Sequence, residues 1–152
     1  HKLFTETDFD ADELTVVWQS INVEHGCHYC VPAHTGIAKM MKVSDELSNA
    51  LRDEAPLPSA KLEALRTFTI QMVRERGDVS DAQMQAFFDA GYGHRAVLDV
   101  ILGLAQKTMS NYINHVAQTP VDAVFTPLLW TRGVRLSRSD TIGCVPQNGA
   151  RT

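Results

Sequence analysis

Apolar positions recur at three- and four-residue spacing along most of the chain. Alternation of period two is nearly absent, so the pattern predicts helices and no sheet. Asp10 with Glu13 three residues on makes a helix start, and Leu14, Val17, Trp18 and Ile21 follow on one face. Gly26 suits the position just past that helix's end. Pro32 lacks the N–H an interior helical bond needs, so the second helix starts between Cys27 and Val31 and runs to about Val43. Ile37, Ala38, Met40 and Met41 supply its apolar face. Ser44 opens a short helix to about Arg52, and Pro56 and Pro58 mark a break. Ser59 caps a helix from Ala60 to about Arg76, with Leu62, Leu65, Phe68 and Met72 inward, stopped by Gly77. Ser80 and Gln83 form a capping box for a short helix carrying Met84, Phe87 and Phe88, ended by Gly91.

The longest periodic segment runs from His94 to Gln118. Val97, Leu98, Ile101, Leu104, Ala105, Met109, Tyr112, Ile113 and Val116 keep one face apolar throughout, which predicts the central core helix, ended before Pro120. A last turn or short helix covers about Val121 to Leu129. The expectation is an all-α fold of about six to seven helices, with one domain over residues 1–130. Residues 131–152 carry Arg132, Arg135, Arg138 and Arg151 against the single acid Asp140. They read as a loosely ordered basic tail, with an arm packed on another subunit as the alternative.

Composition narrows the class. A chain of 152 residues with 44% hydrophobic and 21% charged residues is an ordinary globular domain. A formal charge of −4 and a pI near 5.8 give no support for nucleic-acid binding. No apolar run approaches the roughly 20 residues a membrane span needs, so no membrane partner is expected. Three cysteines are too few and too odd in number for a disulfide scaffold. A C-x-x-C in a reducing compartment is redox-active or metal-binding more often than structural, which predicts a cytoplasmic protein. No signal peptide is visible, and a chain opening on His1 leaves room for sequence upstream.

The chemistry concentrates in Glu24-His-Gly-Cys-His-Tyr-Cys-Val-Pro-Ala-His34. On helical spacing, Cys27, Cys30 and His34 fall within an arc of about 60°. A helix N-terminus stabilises a thiolate, and His34, one turn after Cys30, can take its proton or pair with it. Two cysteines two residues apart can close a small disulfide ring, so whichever is oxidised first is resolved by its neighbour. Glu24 is a candidate proton relay or orienting carboxylate, with a solvated helix-end acid as the plain alternative. Zinc is the competing reading, with Cys27, Cys30 and His34 joined by Cys144, Glu24 or another histidine. Structural zinc generally uses two separated ligand pairs and no second pair exists, so redox chemistry is preferred. His25 and His28 lie off the face and read as solvated. Tyr29 reads as packing or a hydrogen-bond donor, Glu13 as a cap, and Cys144 as a bystander. Lys107 to His115 is a second polar cluster. Asn111, Asn114 and His115 in it add polar groups beside an apolar face; Asn111 and His115, sharing a face at i, i+4, could reach the thiols, with interhelical hydrogen bonding the preferred reading for each.

The pattern Glu24-x-x-Cys27-x-Tyr29-Cys30-x-x-x-His34 resembles the alkylhydroperoxidase D-like branch of the carboxymuconolactone decarboxylase superfamily. Ser80 to Tyr92, Val100 to His115 with Lys107 and Asn-Tyr-x-Asn-His, and Thr119-Pro-Val-Asp122 resemble the family's later segments in the same order. The resemblance covers roughly Asp10 to Trp130. It implies an all-helical fold assembling as homodimers, trimers or hexamers, and a peroxidase with an antioxidant role that needs no metal or organic cofactor. Cys30 would attack the hydroperoxide, Cys27 would resolve the product as a disulfide, and His34 and a glutamate would pass protons. An external dithiol would then reduce the disulfide. The best-known family pattern has its relay glutamate twelve residues before the first cysteine, where this chain has Thr15; Glu24 matches the glutamate of another subgroup. The decarboxylase branch lacks the C-x-x-C, so its lactone chemistry is not expected. Two further readings remain: a thiol–disulfide oxidoreductase or redox sensor without peroxide specificity, and a zinc-binding interaction module.

Overall fold

The computed structural model describes residues 6–133. Six α-helices follow in order: α1 (Ala11–Glu24), α2 (Cys30–Met40), α3 (Asp45–Arg52), α4 (Ala60–Arg74), α5 (Asp81–Asp89) and α6 (His94–Ala117). A 3-10 segment, Ala123–Leu128, closes the described chain. No strand occurs among the described residues, so the fold is all-α. Residues 134–152, with most of the expected tail and Cys144, lie outside them.

The helix starts use local chemistry. The Asp10 carboxylate accepts from the Glu13 N–H at 2.9 Å, and the Glu13 carboxylate accepts from the Asp10 N–H at 3.1 Å. Ser44, Ser59 and Ser80 cap α3, α4 and α5 in the same manner. Gly26, at φ +65°, takes a left-handed conformation that ends α1 and turns the chain toward α2.

The central helix is α1. Every side chain from Thr15 to Val23 is buried, because α4, α6, α2 and α3 all pack around it. Two of its polar members, Gln19 and Asn22, form a chain of hydrogen bonds to α2. Gln19 Nε2 donates to the Val31 carbonyl and to Thr35 Oγ1, both at 3.1 Å, and Asn22 Nδ2 donates to Gln19 Oε1 at 3.0 Å. A buried amide left unpaired costs about 1–3 kcal/mol, so these bonds fix α2, and with it the thiol motif, against α1. Below, Phe68 stacks on Phe87 at 4.1 Å and Phe87 on Tyr92 at 4.6 Å, joining α4 to α5 and the start of α6.

The expectation that His94 to Gln118 forms the central core helix is corrected here. The buried face of α6 is Ala96, Asp99, Val100, Gly103, Lys107 and Asn111. Much of the predicted apolar face points outward: Leu98, Ile101, Met109, Tyr112, Ile113 and Val116 are exposed, Val116 at 87%. Periodicity finds an apolar stripe without saying what covers it. The inward face is instead set by small and polar residues that bring α6 close to α1 and α2.

The segment after α6 crosses back over α2. Phe125 lies on Gly36, where an added Cβ would stand 2.9 Å from Phe125 Cε1. Arg52 donates to the carbonyls of Leu128 and Leu129, each at 3.0 Å, and Trp130 Nε1 donates to the Arg52 carbonyl at 2.9 Å. Arg132, expected in a loose tail, packs on its own chain, with its guanidinium on Glu54 and Glu24.

Candidate active site

Cys27 lies in the turn between α1 and α2, and Cys30 is the first residue of α2. Both are free thiols, fully buried at Cys27 and 3% exposed at Cys30. The Cys30 backbone N–H donates to Cys27 Sγ at 3.3 Å. This helix-start N–H therefore serves the first cysteine, and the groups that act on the second come from elsewhere.

They come from α6. Asn114 Nδ2 donates to Cys30 Sγ at 3.2 Å. Two turns back along the helix lies Lys107, 4% exposed, with Nζ 2.7 Å from His34 Nε2. An ammonium has no lone pair, so Nε2 accepts and the imidazole proton sits on Nδ1. That Nδ1 is buried and has no hydrogen-bond partner among the described residues. The Trp18 indole covers the ring edge-on at 5.2 Å and is itself fixed by Nε1 donating to Gln106 at 3.0 Å.

The electrostatics follow from these contacts. A hydrogen bond from the Cys27 thiol, the Lys107 charge, and the Asn114 and Ser110 side chains pull the Cys30 thiol down to about 6, against burial, which raises it. Cys27 moves the other way, because it gives its proton to that bond and is itself desolvated. The reduced pair thus holds a thiolate on Cys30 and a thiol on Cys27 at neutral pH. Burial, and then the Lys107 charge, push His34 down to about 3, so its imidazole is neutral. Burial also lowers Lys107, while the charge on the two sulfurs works against that shift.

Cys27 and Cys30 lie against each other, and His34 is linked to them only through Lys107, whose charge acts on Cys30, so the expected pairing of His34 with sulfur is not the one formed. His34 bonds to Lys107 rather than to sulfur, and being neutral it is not a cationic partner for the thiolate. Glu24 is turned elsewhere. Its carboxylate takes two bonds from Arg74, at 2.7 and 3.0 Å, and meets Arg132 at 3.4 Å. The Arg74 hydrogen bond is the main reason its pKa is lowered. It lines a cleft of about 340 Å³ between α1, α3 and α4, together with Ser20, Glu54, Arg66 and Arg74, to which neither cysteine nor His34 contributes. Thr15 is buried, its hydroxyl spent on the Ala11 carbonyl at 2.8 Å.

His25 and His28 are not simply solvated. Asn111 Nδ2 lies 3.1 Å from His25 Nδ1, the His25 ring packs on Tyr112, and burial lowers its pKa. His28 Nε2 reaches the Thr119 carbonyl at 3.1 Å, and the Tyr29 hydroxyl donates to Asp122 at 2.7 Å. These bonds tie the thiol turn to the end of α6 and the segment after it. Asn114 reaches the thiol, whereas Asn111 serves His25. Among the described residues no three His, Cys, Asp or Glu side chains converge to hold a metal ion.

Sequence reasoning placed Lys107 and Ser110 in the second polar cluster, and Lys107 in the family resemblance, without giving either a role at the thiols. A signal existed for Lys107: between Asp99 and His115 it is the only residue charged at neutral pH in a long apolar stretch, and it shares a face with Gly103 and Asn111. A lysine placed so needs a buried partner.

The all-helical arrangement is the alkylhydroperoxidase D-like fold. Two solved structures share it. One is an uncharacterized peroxidase-related protein from Silicibacter sp. TM1040, with 18% identity and a TM-score of 0.70, covering 82% of this chain and 71% of that one. The other is an alkylhydroperoxidase AhpD core, an uncharacterized peroxidase-related protein from Ralstonia eutropha JMP134, with 20% identity and a TM-score of 0.62, covering 76% of this chain and 60% of that one. At these identities the likeness is one of fold. No protein-family model and no curated protein sequence matches the chain. No described helix is long and apolar enough to cross a membrane.

Proposed function

We propose that the protein is a cysteine-based peroxidase that reduces hydroperoxides through a Cys27/Cys30 dithiol–disulfide cycle. The observation that carries this reading is the division of labour within the pair: Cys30 is a thiolate held by Asn114 and the Lys107 charge, and Cys27, its neighbour, keeps its proton. The Cys30 thiolate attacks the outer peroxide oxygen, and an alcohol leaves as the sulfenic acid forms. The Cys27 thiol then displaces water from that sulfenic acid and closes the disulfide. His34 presents its unpaired Nδ1–H to an oxygen of the substrate. An external dithiol reopens the bond. No metal or organic cofactor enters the cycle. Glu24 has a supporting role outside the proton path, because its carboxylate is committed to Arg74 and Arg132.

In this reading Cys30→Ser abolishes peroxide consumption, and Cys27→Ser consumes one equivalent to form a sulfenic acid and a second as that acid over-oxidises to the sulfinic acid. Full turnover by Cys30→Ser would sink the reading. A thiol–disulfide oxidoreductase or redox sensor uses the same pair, but the burial of both cysteines, 0% and 3% exposed, favours a small hydroperoxide over a protein disulfide as oxidant. Comparing rates with a hydroperoxide and with a disulfide substrate separates the two.

The chain acts as a homo-oligomer, with the outward face of α6 as the contact. Leu98, Ile101, Met109, Tyr112, Ile113 and Val116 line it without a charged residue among them. A continuous apolar face of this kind marks an interaction surface, and a surface free of charge meets its own copy without repulsion. Sedimentation of wild type and Ile113→Glu tests this: loss of an oligomer in the variant supports it, and a monomeric wild type contradicts it.

A further inference from the structure

We infer that Lys107 is the proton source of the dithiol cycle, acting through His34, and that it gives up its charge when the thiolate is consumed. It is a positioning residue for the reaction proposed above, occupying the role that the sequence led us to look for in Glu24.

Three observations support this. Lys107 is buried at 4% exposure, and no carboxylate lies within ion-pair distance of it among the described residues. Its Nζ is spent on the neutral imidazole of His34, which ends one turn from the Cys30 sulfur in sequence register. The charge that favours its ammonium form is the one on the sulfurs. A buried ammonium needs a compensating charge, and here that charge is the thiolate. The other titratable groups at the site do not replace it. His25 and Cys27 come from the α1–α2 turn, Tyr29 lies just before α2, and His115 comes from α6; Glu24, at the end of α1, acts on His25, and Asp122 is bonded to Tyr29.

The reduced site therefore holds one negative and one positive charge. Attack by Cys30 breaks the O–O bond and consumes the thiolate, and the leaving alkoxide needs a proton. Lys107 supplies it by way of His34, which passes a proton on and is left neutral. The two steps sum to Lys–NH3+ + Cys30–S− + Cys27–SH + ROOH → Lys–NH2 + disulfide + ROH + H2O. Hydrogen and charge balance, the peroxide is reduced by two electrons, and the pair of sulfurs is oxidised by two. The buried site is neutral before and after. Reduction by an external dithiol restores two sulfur-bound protons, one of which returns from Cys30 to Lys107.

The first test uses the unmodified protein. The Cys27–Cys30 equilibrium is measured against a reference dithiol between pH 7 and 8, above the Cys30 pKa of about 6. The inference requires two protons taken up per disulfide reduced; one proton overturns it. Two variants sharpen the result. Lys107→Met leaves the thiolate without its counter-charge, so alkylation of Cys30 by iodoacetamide at pH 7 falls about tenfold or more. Lys107→Arg keeps the charge but cannot lose a proton. It should alkylate near the wild-type rate, yet react with hydrogen peroxide at least about tenfold more slowly in a single turnover. An unchanged alkylation profile in Lys107→Met, or a wild-type peroxide rate in Lys107→Arg, overturns the inference. A wild-type protein that takes up two protons but ignores peroxides leaves Lys107 in this role and removes the peroxidase reading. A fast peroxide reaction with one proton does the reverse.

Discussion

His34 gives the most quantitative prediction. Its pKa is about 3 in the folded protein against 6.5 for an ordinary histidine, chiefly through burial and then through Lys107. Between those values the unfolded chain binds a proton that the native state does not. Stability is complete above pH 6.5 and is lost as pH falls toward 3. At pH 5 the gap between 6.5 and 5 corresponds to about 2 kcal/mol, at 1.36 kcal/mol per unit. His34→Gln removes the titration while its side-chain carbonyl can still accept from Lys107. The assay is urea unfolding of the reduced wild type and variant at pH 7.5 and pH 5. The wild type should lose about 2 kcal/mol more than the variant on acidification, a relative midpoint shift of about 1 M for a slope near 2 kcal/mol/M. Cys30 and the surface carboxylates titrate in both proteins and cancel to first order. Parallel losses would mean that His34 titrates as a solvated histidine, and the neutral imidazole between Lys107 and the substrate would have to be given up.

Asn114→Leu removes the amide that donates to Cys30 Sγ. The Cys30 pKa should rise by about one unit, the worth of a hydrogen bond to a charged group at a half-buried site, read from thiolate absorbance against pH. An unchanged titration assigns the thiolate wholly to Lys107 and Cys27. Glu24→Gln should keep the single-turnover peroxide rate within about twofold and cost about 1 kcal/mol or less in stability, because Arg74 is largely and Arg132 partly exposed. A tenfold rate loss would return Glu24 to the proton path. Gly36→Ala drives a methyl against the Phe125 ring. It should cost about 1–3 kcal/mol in urea unfolding, as overpacking does, and a neutral result would mean that the segment after α6 lifts freely from α2.

The fold was legible in the sequence where local chemistry decides it. The two capping boxes, the serine caps and Gly26 fixed the helix boundaries, since each satisfies or releases backbone groups within a few residues. The depth of each helix was not legible. Glu13, Thr15, Gln19, Ser20 and Asn22 read as polar yet sit in the buried α1, because partners on α2 and α4 satisfy several of them. α6 read as core and turned its most apolar face outward. The site was legible within its contiguous motif and not across elements. Cys27, Cys30 and His34 are set by spacing on one segment. The groups acting on Cys30 and His34 lie more than seventy residues away on α6, and nothing local links a lysine there to a histidine on α2. Glu24 illustrates the converse: it is close in sequence to the cysteines, but the end of α1 points its carboxylate at Arg74.

The measurement that bears most directly on the central claim is stopped-flow reaction of the fully reduced protein with hydroperoxide at pH 7, with mass spectrometry of the quenched product. A Cys30-dependent reaction well above that of a free thiol, ending in loss of two hydrogens and a Cys27–Cys30 disulfide, is the predicted result. Reaction no faster than free cysteine, or a product with both thiols intact, would contradict it.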